Sequence, residues 1–193
     1  MPASRITTIV AVALLAATGC SSPISISNDK NQQLPPAPPP TSSTRPSNDK
    51  LVNAFDFYAR TDADHAGYYF VSPSGSWRCV IVPRAWAGCQ SSGGGIGVTG
   101  APQTVTDDSG QSVAPNSILV RTEGDPQFAS VVAELFKPPS GTAKTLPFNK
   151  ILAAAGFRCN VQQEAGISCI SDETDKGFTF SASGAGWQYT DVP

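Results

Sequence analysis

The sequence has few charged residues. Asp, Glu, Lys and Arg make up 15% of its 193 residues, well below the roughly 25% usual in soluble domains. The formal net charge is −2 at pH 7, and no block of like charges occurs along the chain. A near-neutral, faintly acidic chain has no electrostatic reason to bind nucleic acid or anionic lipid. Nucleic-acid-binding functions are therefore excluded.

Histidine is scarcer still, which limits the catalytic and metal sites that the chain can build. His65, the only histidine, stands in TDADHAG with Asp62 and Asp64. A general base needs a nucleophile, and the sequence has no GxSxG elbow to supply one. A metal ion would want more ligands than this run offers. We therefore predict no catalytic residue, no metal site and no cofactor, and we place His65 in a solvated loop.

Long hydrophobic runs are also missing, apart from one near the amino terminus. Residues 9–17 form an unbroken apolar run after Arg5. The run is too short to span a bilayer, which needs about 20 residues, but it suits a signal peptide. It leads directly into Ala-Thr-Gly-Cys, which resembles a bacterial lipobox. We predict a lipoprotein signal peptide over 1–19 and lipidation of Cys20, with an ordinary cleaved signal peptide as the alternative. The predicted location is the extracytoplasmic face of the cell membrane.

Residues 20–50 are rich in proline and poor in large apolar side chains. Seven prolines occur there, and the run LPPAPPP is typical of polyproline helix. Such a composition cannot bury enough surface to fold. We predict a lipid-anchored, disordered stalk that spaces the following domain, residues 51–193, from the membrane. A docking site for a proline-reading partner is the alternative.

Two stretches of the predicted domain are alike. The first reads GSWRCVIVPRAWAGCQ (75–90) and the second reads AGFRCNVQQEAGISCI (155–170), at a constant offset of 80 residues. In each, an aromatic residue and an arginine precede a cysteine, and a second cysteine follows ten positions later. Two copies of one supersecondary unit explain this pattern. The aromatic and β-branched residues, with turn residues between them, favour a β-hairpin.

The four cysteines of the domain predict two disulfides. An even number of cysteines in an exported chain is typical of a disulfide framework. Folding each copy back at its middle brings its cysteines opposite each other, at a spacing that a disulfide can close. Zinc is disfavoured because nine residues separate the cysteines of each pair, against the two to four typical of zinc sites. We predict the most local connectivity, Cys79–Cys89 and Cys159–Cys169.

The rest of the domain predicts short strands and one ambiguous segment. QTVTDD, NSILVRT and GFTFSASGAGW are strand candidates, and the glycine-rich SSGGGIGVTGAP is a loop. In 125–136, Asp125 and Pro126 begin a helical spacing of apolar residues, so we predict a helix there, with a strand as the alternative because Val131 and Val132 are β-prone. The predicted fold class is mainly β, with at most one or two short helices. We expect a small antiparallel sheet or sandwich with two disulfide-closed hairpins.

The cysteine pairs occur among motifs that resemble a known family. SPSG (72–75) precedes the first pair, Leu-Pro-Phe (146–148) precedes the second, and Gly-Phe-Thr (177–179) follows it. This order resembles actinobacterial secreted proteins and mycobacterial lipoproteins, although Ala155 stands where that family usually has glycine. The family has no assigned activity. The resemblance implies an extracytoplasmic location and a paired-cysteine β domain, and it adds no chemistry.

These observations favour a non-enzymatic envelope lipoprotein. Its domain would bind a partner protein or wall component, or serve a structural role. Trp86 is the candidate recognition residue, because it stands near a hairpin tip where burial is less expected. One alternative is an enzyme that acts on a glycan through carboxylates such as Asp62, Asp64 or Glu123. The other is a carrier that holds a lipid or other apolar ligand in an internal cavity.

Overall fold

Antiparallel strands dominate the computed structural model, which describes residues 48–60 and 66–193. Short 3-10 helices occur at Asn48–Lys50, Ala54–Phe57 and Ala133–Phe136, and the described residues contain no α-helix. The predicted mainly β fold class is confirmed. The strands of the described ranges are β1 (Tyr58–Arg60), β2 (Ala66–Val71), β3 (Trp77–Val82), β4 (Trp86–Ser91), β5 (Val105–Thr106), β6 (Ser112–Val113), β7 (Ser117–Arg121), β8 (Gln127–Ala129), β9 (Lys144–Thr145), β10 (Ile151–Ala154), β11 (Phe157–Gln162), β12 (Gly166–Ser171), β13 (Gly177–Ser181) and β14 (Gly184–Gly186).

These strands form two larger sheets and a small hairpin. The first sheet has the order β1-β2-β3-β4-β7-β8, with β9 parallel to β2 on the same edge as β1. The second sheet is a simple meander, β10-β11-β12-β13-β14. Strands β5 and β6 pair with each other alone. The second sheet packs against the first through contacts of β11, β12 and β13 with β4 and β7, so the fold is a sandwich.

Each predicted hairpin lies inside its own sheet. The bounds of β11 and β12 equal those of β3 and β4 plus 80 throughout. In both hairpins the two cysteines stand directly opposite each other. Disulfides join Cys79 to Cys89 and Cys159 to Cys169. The predicted connectivity is therefore confirmed.

The internal repeat extends beyond the two hairpins. In the first sheet, β2 flanks β3 while β7 and β8 follow β4; in the second sheet, β10, β13 and β14 occupy the same places. The residues that pair with the four cysteines are equivalent in the two sheets. These are Phe70 and Leu152 beside the first cysteine of each pair, and Ile118 and Phe178 beside the second. Each repeat is therefore a five-stranded meander.

Both disulfides lie in the core between the sheets. All four bonded cysteines are 0% exposed, and the aromatic rings around them are buried as well. Trp77 is partly buried against this core and packs edge-on against Phe180 with ring centroids 4.6 Å apart. The large side chains that fill the space between the sheets include Phe70, Phe157, Phe178 and Phe180.

A second, smaller core covers the outer face of the first sheet. Tyr69, Val80 and Leu119 point away from the disulfides on this face, because side chains alternate along a strand. The chain after β8 crosses over them and buries Phe136 completely. The first sheet is therefore apolar on both faces.

The segment that covers this face departs from the helix favoured by its sequence. Gln127–Ala129 pairs with β7 as strand β8, and only Ala133–Phe136 is helical, as a short 3-10 turn. The helix prediction is wrong, and the strand alternative holds for three residues. A short isolated helix is marginal in water. Pairing with β7 and burial of Phe136 stabilise the extended path instead.

Two motifs of the family resemblance form turns. SPSG joins β2 to β3, where Ser72 Oγ accepts a hydrogen bond from the Trp77 amide at 3.2 Å. Ala155 and Gly156 join β10 to β11 with φ of 50° and 90°. A two-residue hairpin turn with positive φ at both positions favours glycine. Alanine at position 155 therefore adopts a backbone conformation that its Cβ disfavours.

Candidate binding surfaces

The described residues include some of the predicted site residues and leave out others. Trp86, Glu123 and the four disulfide-bonded cysteines lie within them. The predicted lipidation site, Cys20, lies outside the described residues, as do Asp62, Asp64 and His65. Of the three carboxylates named for the predicted glycan-acting site, only Glu123 lies within the described residues.

Trp86 is buried, contrary to the exposure expected at a hairpin tip. Its side chain is 9% exposed, and its ring centroid lies 5.6 Å from that of Phe136. It points to the outer face of the first sheet, where the 3-10 helix Ala133–Phe136 covers it. The expectation of an exposed Trp86 is wrong. Trp86 therefore belongs to the second core.

Two clefts flank the loop at residues 137–144. The first, of about 430 Å³, lies where β1 and β9 share one edge of β2, and Arg60 and Lys144 line it. The second, of about 340 Å³, is lined by Arg78 and Lys137. Lys144 Nζ lies 3.4 Å from Asp56 Oδ1, and Lys137 Nζ lies 3.7 Å from Glu134 Oε1. Arg60 is exposed and Arg78 is half-buried. Cations around a concave surface suit carboxylate or phosphate groups.

A third cleft, of about 520 Å³, includes the acidic turn between β5 and β6. Asp107 Oδ1 accepts hydrogen bonds from the amides of Ser109 and Gln111 and from the Ser109 hydroxyl. The Ser109 side chain, followed by the Gln111 amide, lowers the pKa of the Asp107 carboxyl. This carboxylate is engaged by its own hairpin, which makes it a turn-stabilising group.

The outer face of the second sheet is polar and carries the carboxyl-terminal segment. Asn160 Nδ2 donates to the Tyr189 hydroxyl and to the Thr190 carbonyl, both at 2.9 Å. Gln162 Nε2 donates to the Thr190 carbonyl at 3.0 Å, and the Thr179 hydroxyl donates to the Gln188 carbonyl at 2.7 Å. Side chains of the sheet therefore hold the backbone of this segment.

Within the carboxyl-terminal segment, the Tyr189 side chain is half-buried against the second sheet. The Arg158 guanidinium lies 5.7 Å from the centroid of its ring, within the range of a cation–π contact. Burial raises the pKa of the Tyr189 hydroxyl, against the opposing effect of the Asn160 hydrogen bond. The Arg158 Nε also donates to Asp172 Oδ1 at 2.6 Å. These contacts fix the carboxyl-terminal segment on the sheet.

Replacing Asn160 by alanine is expected to loosen this segment. The side chain is fully buried and makes hydrogen bonds to Tyr189, Thr190 and Gln162. The Thr190 carbonyl keeps its bond from Gln162, but the half-buried Tyr189 hydroxyl loses the Asn160 donor, and we expect a loss of about 1–3 kcal/mol in the free energy of unfolding. Urea denaturation measures the loss, and hydrogen exchange of residues 187–193 should quicken. The control is Gln163→Ala, an exposed position on the same hairpin. Unchanged exchange after Asn160→Ala would contradict the assignment.

Large apolar side chains are exposed mainly at one end of the described chain. Leu51, Phe55 and Tyr58 belong to its first eleven residues, and Phe148 lies on a segment beside them. Val52 N donates to the Ile151 carbonyl at 2.9 Å and Lys150 Nζ donates to the Asp49 carbonyl at 2.7 Å, which joins the two segments. We call the four exposed residues Leu51, Phe55, Tyr58 and Phe148 the amino-terminal apolar surface.

Comparison with known proteins adds no assignment. No family model, no curated protein and no solved structure matches the chain. Within residues 48–60 and 66–193, no three His, Cys, Asp or Glu side chains are grouped so that they could hold a metal ion. In the same ranges, no helix has the length and apolar character to cross a bilayer. Function is therefore inferred from the sequence and the geometry alone.

Proposed function

We propose that the chain is a lipid-anchored protein of the cell envelope whose domain acts by binding rather than by catalysis. In this proposal residues 1–19 direct export and Cys20 carries the lipid. The stalk predicted over 20–50 ends before Asn48, because Asn48–Lys50 is a 3-10 helix and Lys150 Nζ donates to the Asp49 carbonyl. The domain is displayed on the extracytoplasmic face of the membrane. Its partner is an envelope protein or a wall component.

The pair of core disulfides is the observation that carries the extracytoplasmic location. Cys79–Cys89 and Cys159–Cys169 join the central strands of the two sheets and are buried in their common core. Disulfides of this structural kind form in oxidising compartments, whereas cytosolic thiols are kept reduced. A chain with an apolar leader that ends at a cysteine reaches such a compartment in the way the proposal requires.

The surface clefts support a binding role. Arg60, Arg78, Lys137 and Lys144 line the two clefts beside the loop 137–144 in a chain whose net charge is −2, and only the two lysines have carboxylate partners among the described ion pairs. This arrangement suits an acidic group on a partner, such as a carboxylate or phosphate of a wall polymer or an acidic protein surface. The space between the sheets, where a carrier would hold its ligand, is filled by disulfides and phenylalanine rings. Glu123, the described carboxylate of the enzyme hypothesis, is exposed on the turn after β7.

Cys20→Ala is expected to abolish lipid attachment and release the protein from the membrane. Only the thiol of the lipobox cysteine accepts the diacylglycerol, and two or more acyl chains are needed for stable anchoring. The full-length chain, expressed in a bacterium that processes lipoproteins, is labelled with a fatty acid and fractionated. We expect label and membrane retention in the parent chain and loss of both in the variant.

A matched control separates anchoring from folding. Cys79→Ala and Cys89→Ala together remove a core disulfide and should leave the fatty-acid label in place. Alkylation of free thiols before reduction should show both disulfides in the exported chain and none in a chain that lacks residues 1–19. Equal membrane retention and processing after Cys20→Ala would refute the proposal, as would a parent chain that never takes up the labelled fatty acid.

A further inference from the structure

We infer that the amino-terminal apolar surface docks on the lipid surface of the membrane that carries the anchor. This inference rests on the proposed function and extends it. It assigns Leu51, Phe55, Tyr58 and Phe148 a common role as a second, non-covalent membrane contact. The domain would then lie against the bilayer with a preferred orientation instead of moving freely at the end of its stalk.

The exposure of Phe55 is imposed by the local fold. The 3-10 helix Ala54–Phe57 begins at Asn53, whose side chain accepts a hydrogen bond from the Phe55 amide at 3.2 Å. Phe57 anchors the same turn in the core between the sheets. With Phe57 directed inward, Phe55 is held outward and remains 86% exposed. An apolar ring that the fold holds in water is available for contact with another surface.

The neighbouring exposed residues extend this surface. Leu51 forms a β-bridge with Ile151, and Phe148 lies three residues before that bridge with 43% of its side chain exposed. The Asn149 amide donates to the Val161 carbonyl at 2.8 Å and fixes the Phe148 segment to the second sheet. Tyr58 packs against Tyr68 with ring centroids 5.2 Å apart and is also exposed. Backbone hydrogen bonds and the bridge between Leu51 and Ile151 therefore hold the segments that expose these side chains.

The position of this surface in the chain favours a lipid as its occupant. Leu51 directly follows the predicted stalk, so this is the end of the domain to which the lipid is tethered. A tether of about 30 residues spans about 30 Å as a flexible coil, and more where its prolines keep it extended. A tether of this length holds the domain at a millimolar effective concentration near the bilayer. At this effective concentration, even a weak apolar contact with the bilayer is formed most of the time.

The residue types agree with a membrane interface. Aromatic side chains are enriched at the level of the lipid headgroups, where apolar rings meet water. The chain carries a net charge of −2, so attraction to anionic lipid is not the driving force. We therefore expect docking by apolar insertion, which is insensitive to salt and occurs on zwitterionic vesicles.

The test uses the mature chain with Cys20→Ser, which carries no acyl chain. Its co-sedimentation with phosphatidylcholine vesicles at millimolar lipid measures docking alone. Replacing both Phe55 and Phe148 by serine is expected to lower the partition coefficient by about tenfold or more, since the variant has lost the apolar rings that would be buried in the lipid. The matched control is Val132→Ser, because Val132 is 65% exposed and lines the cleft near Asp107 instead. It should bind like the parent.

A spectroscopic variant identifies what covers the surface. Phe55→Trp places a fluorophore there, and addition of vesicles should shift its emission to the blue. A blue shift that grows with protein concentration without vesicles would show a second copy as the occupant and overturn the inference. If about 0.5 M salt abolished the binding, apolar insertion would be overturned. Because this chain lacks the lipid, its failure to dock leaves the Cys20 labelling experiment intact, and the two proposals fail separately.

Discussion

Replacing Cys159 and Cys169 by alanine is expected to lower the free energy of unfolding by about 3–5 kcal/mol. The disulfide closes a loop whose ends are ten residues apart, and in the chain-entropy model this alone stabilises by about 2.8 kcal/mol. Its removal also leaves a void among the fully buried rings of Phe157 and Phe178, which adds a cavity cost. Urea denaturation of the full chain measures the difference.

The second disulfide provides an internal comparison. Cys79→Ala with Cys89→Ala removes the equivalent bond at the same separation, and its cost should be similar. Losing both bonds is expected to leave the domain unfolded, because single domains are stable by only about 5–15 kcal/mol. Ser91→Ala, on β4 near its end, is the control and should change stability little.

Burial of the four cysteines also predicts resistance to reduction. All four are 0% exposed, so a thiol reductant cannot reach the disulfides until the two sheets separate. We expect dithiothreitol to act slowly on the folded chain and rapidly in denaturant, followed by mass spectrometry of alkylated cysteines. Fast reduction without denaturant would contradict the buried position. A peptide that links Cys79 to Cys169 would refute the pairing itself.

The hairpins could be predicted because everything that defines them is local. Each is encoded within sixteen residues, and the repeat at an offset of 80 shows the same unit twice. A turn at the middle of either copy brings its two cysteines opposite each other, whatever the rest of the chain does. The strand Gly177–Ser181 was predictable for the same reason, since its alternation of apolar and polar residues is local.

The architecture around the hairpins depends on contacts between distant residues. The equivalent partners Phe70 and Leu152 differ by 82 positions, and Ile118 and Phe178 differ by 60, so no constant offset reveals the five-stranded repeats. The helical spacing of 125–136 was misleading because pairing with β7 outweighs a marginal helix. Propensity is a weak guide where tertiary packing decides.

The two repeats differ at the first residue after each hairpin turn. Trp86 begins β4, and the equivalent residue at the start of β12 is Gly166. Gly166 has a φ of 94°, and a Cβ there would collide with the Phe180 carbonyl oxygen, so this position excludes a side chain. The first sheet, with Trp86 at this position, has apolar side chains on its outer face. The second uses polar residues that hold the carboxyl-terminal segment through hydrogen bonds.

The candidate surfaces were harder to predict than the fold. The cleft residues Arg60, Arg78 and Lys144 are far apart in sequence, and only the pairing of β1, β3 and β9 around β2 brings them near one loop. Nothing in the sequence distinguishes Phe55 from Phe57. In the structure, however, the first ring is exposed and the second is buried within a single turn. Exposure of this kind depends on tertiary packing, which a one-dimensional pattern does not contain.

Trp86→Ala is expected to destabilise the domain by about 3–5 kcal/mol, the usual cost of deleting a buried aromatic side chain. The indole packs against Phe136 and belongs to the small core with Tyr69 and Leu119. Its loss opens a void and removes the contact that holds the 3-10 helix Ala133–Phe136 over the sheet. Urea denaturation measures stability, and hydrogen exchange should quicken in residues 133–136.

Two comparisons decide whether Trp86 is a core residue or a recognition residue. Trp86→Phe keeps a ring in the site and should recover more than half of the lost stability. Trp187→Ala removes a tryptophan that is 48% exposed and packs edge-on against Phe128, so its cost should be smaller. A recognition residue would behave in the opposite way: Trp86→Ala would leave the unfolding curve unchanged. That result would place the indole in solvent and remove the second core on which the covered outer face depends.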